Sequence, residues 1–382
     1  MGTKQYDSAT DLLTFSRASS ATFLGSNGLL QTAANNVPRI EYDATGAVKG
    51  LLIEEARTNL MTNSGDLSGT GWSGNITRGA VTSGSPFGTY HTISPTASGG
   101  MGEAQRYQIG KTLTLGATYV GWALVKYSAG SGWFDINMYD TGDSTKRAYF
   151  DVQNGVVGVK DAANIDHGMV DYGDGWWLCW ASANAASTSG GPLYEVPNGD
   201  GVLNCTATDV ILIAGSQFEQ GSFPTSYIPT TGAAATRARD LAQIPTSAFG
   251  YNNDKGSLVI DVLTPVADQL MALSYFNTIS FYNSRGLWKS NSGITAVGTD
   301  YVCSAYDGAA TTVSIGQQTQ AEYTKLGLSY GDNESGVRDG GTVVSGDSRS
   351  PTPIRLHLGG RDYGYGHQSQ CWIKSIQYYP RQ

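Results

Sequence analysis

Glycine cuts this sequence into short pieces. It fills 50 of 382 positions, about 13% where roughly 7% is usual. The stretches between glycines favour Thr, Val, Tyr and Trp over the Ala-Leu-Glu-Lys mixtures of helices. β-branched and aromatic side chains fit the pleated surface of a sheet, and helix formers are nowhere concentrated long enough for a helical domain. Two hairpins stand out near the start. In the first, Thr22-Phe23-Leu24 meets Leu29-Leu30-Gln31-Thr32 across the turn Gly25-Ser26-Asn27-Gly28. In the second, Arg39–Tyr42 meets Val48–Ile53 across Asp43–Gly46. Glycine takes positive φ freely, so Asn-Gly between apolar runs is a strong hairpin signal. The expected fold class is all-β.

The length exceeds one ordinary β domain and suits two or three. Residues 1–62 read as a hairpin-rich docking or attachment segment, too small for a core of its own. From 63 to 232 strands recur at sandwich spacing: Tyr119–Lys126, Trp133–Tyr139, Ala148–Val152, Val156–Lys160, Trp176–Ala181 and Val210–Phe218. Tyr172–Gly175 feeds the run Trp176–Trp180, apolar on both faces and therefore expected to be central. Pro224, Pro229 and Pro245 mark 221–245 as extended linker, because proline lacks a backbone donor. Strand signals resume at Ser257–Leu263 and run to Cys371–Tyr379, a second sandwich over 233–382.

Charged residues make up 15% of the chain and the formal net charge is −8. That balance argues against nucleic acid, which needs a basic stripe. No apolar run reaches the roughly 18 residues of a membrane span, and Met1–Asp7 carries no secretory pattern. Tyr6 stands where a myristoylation motif wants Ser or Thr. Cys179, Cys205, Cys303 and Cys371 form no CxxC pair; buried free thiols are expected, with a Cys179–Cys205 disulfide left open.

Three islands carry a resemblance. The first comprises Phe15–Thr22, Gly28-Leu29-Leu30, Pro38-Arg39-Ile40 and Gly50–Leu60. The second is Gln217–Thr230, closed by Thr236-Arg237-Ala238, and the third is Tyr378-Tyr379-Pro380-Arg381. Together they resemble a family of phage and prophage structural proteins, often tail-fibre or head-fibre components. The resemblance implies carbohydrate-binding-module-like (jelly-roll) and concanavalin-like (laminin-G-like) β-sandwiches, a place on the virion and no shared catalytic residues. Relatives usually hold a polar residue where this chain has Leu178, and many continue past the Tyr-Tyr-Pro-Arg end with a short helical tail. The missing export signal fits a protein that folds in the host cytoplasm and leaves by lysis; a truncated secreted protein is the alternative. The expected function is adhesion to host-surface glycans in a tail fibre, head fibre or capsid decoration. The alternatives are a polysaccharide depolymerase and a purely architectural protein. Expected partners are other virion proteins and copies of itself, most readily as a trimer held through Met1–Leu60.

Side-chain expectations follow. Glu54, Glu55, Arg57 and Asn59, among Leu51, Leu52, Ile53 and Leu60, read as a buried polar clasp joining the N-terminal segment to the first sandwich, because buried charges need partners; an exposed strand end with solvated charges is the alternative. Phe223, Tyr227 and Ile228 read as packing for a rigid proline strap. His91, His167, His357 and His367 lack any two-histidine metal spacing, and no GxSxG elbow is present. The loop acids Asp140 with Asp143, and Asp332 with Glu334, read as turn formers. Asp200 and Asp209 were the conceivable calcium ligands, but no metal or cofactor is expected. Sugar rings pack on aromatic planes and need polar partners for their hydroxyls. Arg361, Asp362, Tyr363, Tyr365 and His367 offer that combination on one loop, while Trp72, Trp133 and Trp288 could do the same from near Gly-rich turns, with core packing as the competing reading.

Overall fold

The computed structural model describes residues 12–100, 102, 104–143, 146–252 and 256–263, residue 370 and the strands between 276 and 380 named below. The chain is all-β and builds two β-sandwiches, one inserted into the other. The inserted sandwich packs a six-stranded sheet on a seven-stranded one. Strand Thr118–Ala129 shows why the apolar runs are central. It pairs with Trp176–Asn184 on one side and Val210–Gln220 on the other, and Val120, Trp122, Ala123, Leu124 and Val125 are all buried. Strand Trp133–Asp140 of the facing sheet alternates instead. Phe134, Ile136 and Met138 enter the core with Phe150, Tyr194, Ile211, Ile213 and Phe218.

The enclosing sandwich is discontinuous in sequence. One sheet joins Thr14–Ser16 to Leu241–Pro245, Arg355–Leu358, Phe276–Phe281, Arg285–Ser290, Thr299–Tyr306 and Ala310–Gln318. The other runs Val344–Asp347, Asn333–Arg338, Tyr323–Tyr330, Gly256–Leu263, Cys371–Pro380, Val48–Ile53 and Arg39–Tyr42. The second N-terminal hairpin is thus the edge of a sheet whose other strands lie more than two hundred residues on. Its register sets Leu51 against Ile373 and Ile53 against Cys371, and these side chains share a core with Leu258, Ile260 and Leu356. Arg57–Asn59 pairs with Ala235–Arg237, closing a neck through which the chain leaves and re-enters.

A second apolar layer lies outside the inserted sandwich's core. Trp122, Leu124, Trp176 and Leu178 cover the outer face of the inserted seven-stranded sheet. Tyr227 of the proline strap lies on that face, stacked on Phe87 (centroids 4.8 Å apart) and edge-on to Trp122, with its hydroxyl 2.8 Å from Ser64 Oγ. Leu178 stands opposite Leu124 in this layer, so an apolar residue there has a packing reason. Leu30 of the first hairpin, Ala21–Leu24 with Leu30–Ala33, packs at its rim and bonds Pro86 through its backbone. Cys179, Cys205 and Cys371 are free thiols in buried positions.

The expected clasp is present and larger than the four residues that suggested it. The Glu54 carboxylate meets Arg39 at 2.8 Å and Arg237 at 3.0 Å. It also accepts bonds from Ser226 N and Oγ and from Gln370. Asp240 bridges Arg39 (2.6 Å) and Arg17 (3.1 Å) and accepts from Glu54 N. Arg57 pairs with Glu55 and lies over the Phe223 ring. Gly221, at φ 150°, makes room for it, since a Cβ there would meet the Arg57 guanidinium at 1.4 Å. Asn59 donates to Ile228 O and accepts from Phe218 N.

Burial alone would raise the Glu54 carboxyl, but Arg237 and Arg39 outweigh it and hold it down at about 2. A depressed carboxyl contributes stability that is full above its unfolded value of 4.5 and lost as pH falls toward about 2. Glu54→Gln should therefore cost about 3–5 kcal/mol, the usual result of breaking a buried ion pair. Urea unfolding at pH 7 measures this, and the gap between wild type and variant should close between pH 4.5 and 2. A chain shortened to start at Asn63 should lose the enclosing sandwich and aggregate, whereas residues 59–235 alone should unfold cooperatively. Calorimetry of both pieces decides; a soluble, fully folded chain from 63 onward would contradict the shared sheet.

Candidate functional site

The alternation of Trp133–Asp140 that fills the core also loads the opposite face of the six-stranded sheet. Residues directly opposite one another on antiparallel strands share a face. Register therefore lines up Gln105, Glu195, Asp135 and Tyr149 across four strands, Gln105–Tyr107, Ser189–Glu195, Trp133–Asp140 and Arg147–Asp151. The next row holds Tyr107, Leu193, Asn137 and Arg147, and Trp133 stands opposite Asp151. Asp135 and Glu195 have no exposed area, while Trp133, Tyr107, Tyr139 and Gln105 are half-buried around them.

The buried row is charged. Glu195 accepts from Gln105 Nε2 at 2.6 Å and from Arg147 Nε at 2.8 Å. Arg147 Nε lies 3.7 Å from Asp135 Oδ2, and Asp135 shares a side-chain hydrogen bond with Glu195. Burial, then the facing Glu195 carboxylate, pushes the Asp135 carboxyl well above the usual carboxylate range. Burial likewise raises the Tyr149 hydroxyl, with Asp135 adding to it. Arg147 moves the other way from what burial would do, held charged by Glu195 and Asp135. Two carboxyls this deep cannot flank a glycosidic bond, which needs one on each side of a sugar about 5–9.5 Å apart. What the arrangement offers is a buried polar row beside half-buried aromatic rings.

Trp133 is built into the rim by a glycine. A Cβ at Gly158 of the edge strand Val156–Lys160 would meet the Trp133 ring at 2.7 Å and Asp200 Oδ1 at 2.5 Å. Core packing was the competing reading for Trp133; its ring instead lies on the outer face, while Trp72 is in the core. Asp200 accepts from Val159 N and Asp209 from Ser131 N, so each fastens a neighbouring loop. Among the described residues no group of three His, Cys, Asp or Glu side chains is arranged to hold a metal ion. Asp140 is saturated by Gly142 N, Asp143 N, Ala186 N and Lys146. His91 is buried against Gly79 O and Asp66, and His167 donates to Gly158 O. Arg361, Asp362, Tyr363, Tyr365, His367 and Asp332 lie outside the described residues, as do the side chains of Glu334, His357, Cys303 and Trp288.

Asp135, Glu195, Arg147 and Gln105 were not singled out in the sequence. The signal was there in Trp133-Phe134-Asp135-Ile136-Asn137-Met138, where polar residues occupy every second place of an apolar strand.

No family model matches the chain, and no curated protein does. Among solved structures, mouse laminin α1 chain domains LG4-5 share 9% identity over 75% of this chain and 90% of theirs, at a TM-score of 0.23. A mutant of the GH43 protein BlXynB from Bacillus licheniformis shares 10% over 80% of this chain and 74% of its own, at 0.24. The CBM22-1-CBM22-2 tandem of Xyn10C from Paenibacillus barcinonensis shares 12% over 85% and 97%, at 0.24. Likeness at these scores says nothing of a ligand or a reaction.

The raised Asp135 carboxyl fixes a sign. A carboxyl held above its unfolded value adds least at neutral and alkaline pH, where keeping it protonated or buried and charged is costly. Asp135→Asn keeps the shape and removes that cost. Melting at pH 8 should rise by roughly 2–4 °C, the shift that about 1 kcal/mol gives a domain of this size, and the gain should shrink toward pH 4. Differential scanning calorimetry across that range checks it.

Proposed function

We propose that this chain is a non-catalytic, glycan-binding structural protein that holds sugar on the outer face of the inserted six-stranded sheet. The observation that carries the reading is the half-buried Trp133 and its neighbouring tyrosines beside the Gln105–Glu195–Asp135 row. Pyranose C–H faces stack on aromatic planes, and ring hydroxyls need donors and acceptors held in place. Gln105 and Arg147, partly exposed and already held by Glu195, offer such groups at little ordering cost. The setting we propose, a bacteriophage particle where the protein serves attachment, rests on the resemblance of the three islands. Copies assembled there would add weak sites into avidity.

Trp133→Ala tests the site. Binding to a glycan array, followed by calorimetry on the best hit, should weaken about tenfold or more, the loss of one aromatic contact of ~1.4 kcal/mol. The melting temperature should hardly move, because the ring lies outside the core. Unchanged affinity would remove this face from the reading. New reducing ends on incubation with bacterial surface polysaccharide would instead make the protein a depolymerase, and no binding to any glycan would make it architectural.

A further inference from the structure

We infer that Asp135 and Glu195 hold one proton between them at neutral pH, and that its loss loosens the inserted sandwich while leaving the enclosing one clasped. The two residues stand directly opposite on neighbouring strands, and both are fully buried. Their side chains share a hydrogen bond. An ionised carboxylate only accepts, so two of them cannot make that bond. One must carry the hydrogen.

The surrounding groups say which. Glu195 accepts from Gln105 Nε2 and Arg147 Nε. Among the described residues no N–H or hydroxyl donates to Asp135, and Arg147 Nε stands 3.7 Å off. The negative charge is better held on Glu195, and Asp135 donates to it. Tyr149 lies opposite Asp135 on the next strand. Asp161 accepts from Arg147 N and adds negative charge nearby, while Lys160 is engaged by Asn164 O. Phe134 and Ile136 close the other side of the strand in the core. One guanidinium thus serves two carboxyls, and it can neutralise one.

When hydroxide takes the proton, the Asp135 O–H bond breaks, its electron pair stays on oxygen and water leaves. Two buried carboxylates then face each other beside a single guanidinium, an arrangement that both burial and like charge disfavour. Burial, then Glu195, raises the Asp135 carboxyl. Its contribution to stability is therefore full below the ordinary value of 3.8 and is lost as pH rises through the folded value. The Glu54 clasp runs the other way, full above 4.5 and lost toward about 2. Acid weakens the clasp, alkali weakens the inserted sheet, and pH selects which sandwich loosens first.

Infrared spectroscopy of the folded full chain tests the proton, because an un-ionised carboxyl has a carbonyl stretch apart from the amide and carboxylate bands. We expect such a band at pH 7. It should shift when aspartate carboxyls are isotopically labelled and stay put when glutamate carboxyls are. It should vanish in Asp135→Asn and fade as pH is raised to 10. Glu195→Gln, which removes the facing carboxylate, should make it fade at lower pH. Tryptophan fluorescence reports mainly on the inserted sandwich, through Trp72, Trp122, Trp133, Trp176, Trp177 and Trp180. Urea unfolding followed by it should move toward the unfolded state by up to tenfold per pH unit over the range where the band fades, the limit for one proton. Should Asp135→Asn fail to fold, the labelling and Glu195→Gln decide. No un-ionised band at pH 7, a band that follows the glutamate label, or one indifferent to Glu195→Gln would overturn the shared proton. A band that fades while the unfolding constant stays flat would overturn the switch.

Discussion

Five buried charges decide how this chain is put together. Arg17, Arg39 and Arg237 surround Glu54 and Asp240 with no exposed side-chain area on four of them and almost none on Arg237. Placing ions in a protein interior costs several kcal/mol each, and their attraction recovers it only when every partner is in place. The network is therefore a poor source of net stability and a strict test of arrangement. Arg17 and Asp240 are 223 positions apart, and Gln370 reaches Glu54 across 316. A slip of one residue in either N-terminal strand would turn a charge away from its partners. The register that sets Leu51 on Ile373 and the one that sets Phe15 on Ala242 are the registers that close the network.

This explains where the sequence islands fall. Arg17, Arg39, Glu54, Ser226 and Arg237 come from islands that look unrelated along the chain, and they converge on one point. That point is the neck of an inserted domain. The strap from Gly221 to Thr230 passes the network with Ser226 bonded to Glu54, then lays Tyr227 on the aromatic layer over the inserted sheet. One short segment thus fixes both ends of the joint.

Fold class and the main strands were legible because period and turn chemistry are local. The apolar run Trp176–Trp180, without alternation, marked its strand as central, and Gly-bearing turns marked the early hairpins. The partner of Val48–Ile53 was not legible. A strand's neighbour in a sheet depends on chain topology, and residues 48–53 pair with 371–373 by contacts that no window of sequence contains. The clasp was visible in outline, since two acids and an arginine among leucines demand partners. Asp240 and Gln370 were invisible, because each is an ordinary polar residue until the fold brings it in. Trp133 was seen as one of several tryptophans, and only its place relative to Phe134 and Ile136 puts it outside the core.

The two charged clusters differ in a way that bears on function. Around Glu54 the carboxylate oxygens are filled and the carboxyl stays ionised down to about pH 2. Around Asp135 a carboxyl is buried against another carboxyl, with one guanidinium for the pair. The fold could have resolved that conflict cheaply with an amide. Structure alone gives no reason for the acid, since Phe134 and Ile136 already anchor the strand from the other side. The buried Asp135–Glu195 pair is thus the feature of the inserted sandwich that its packing does not account for.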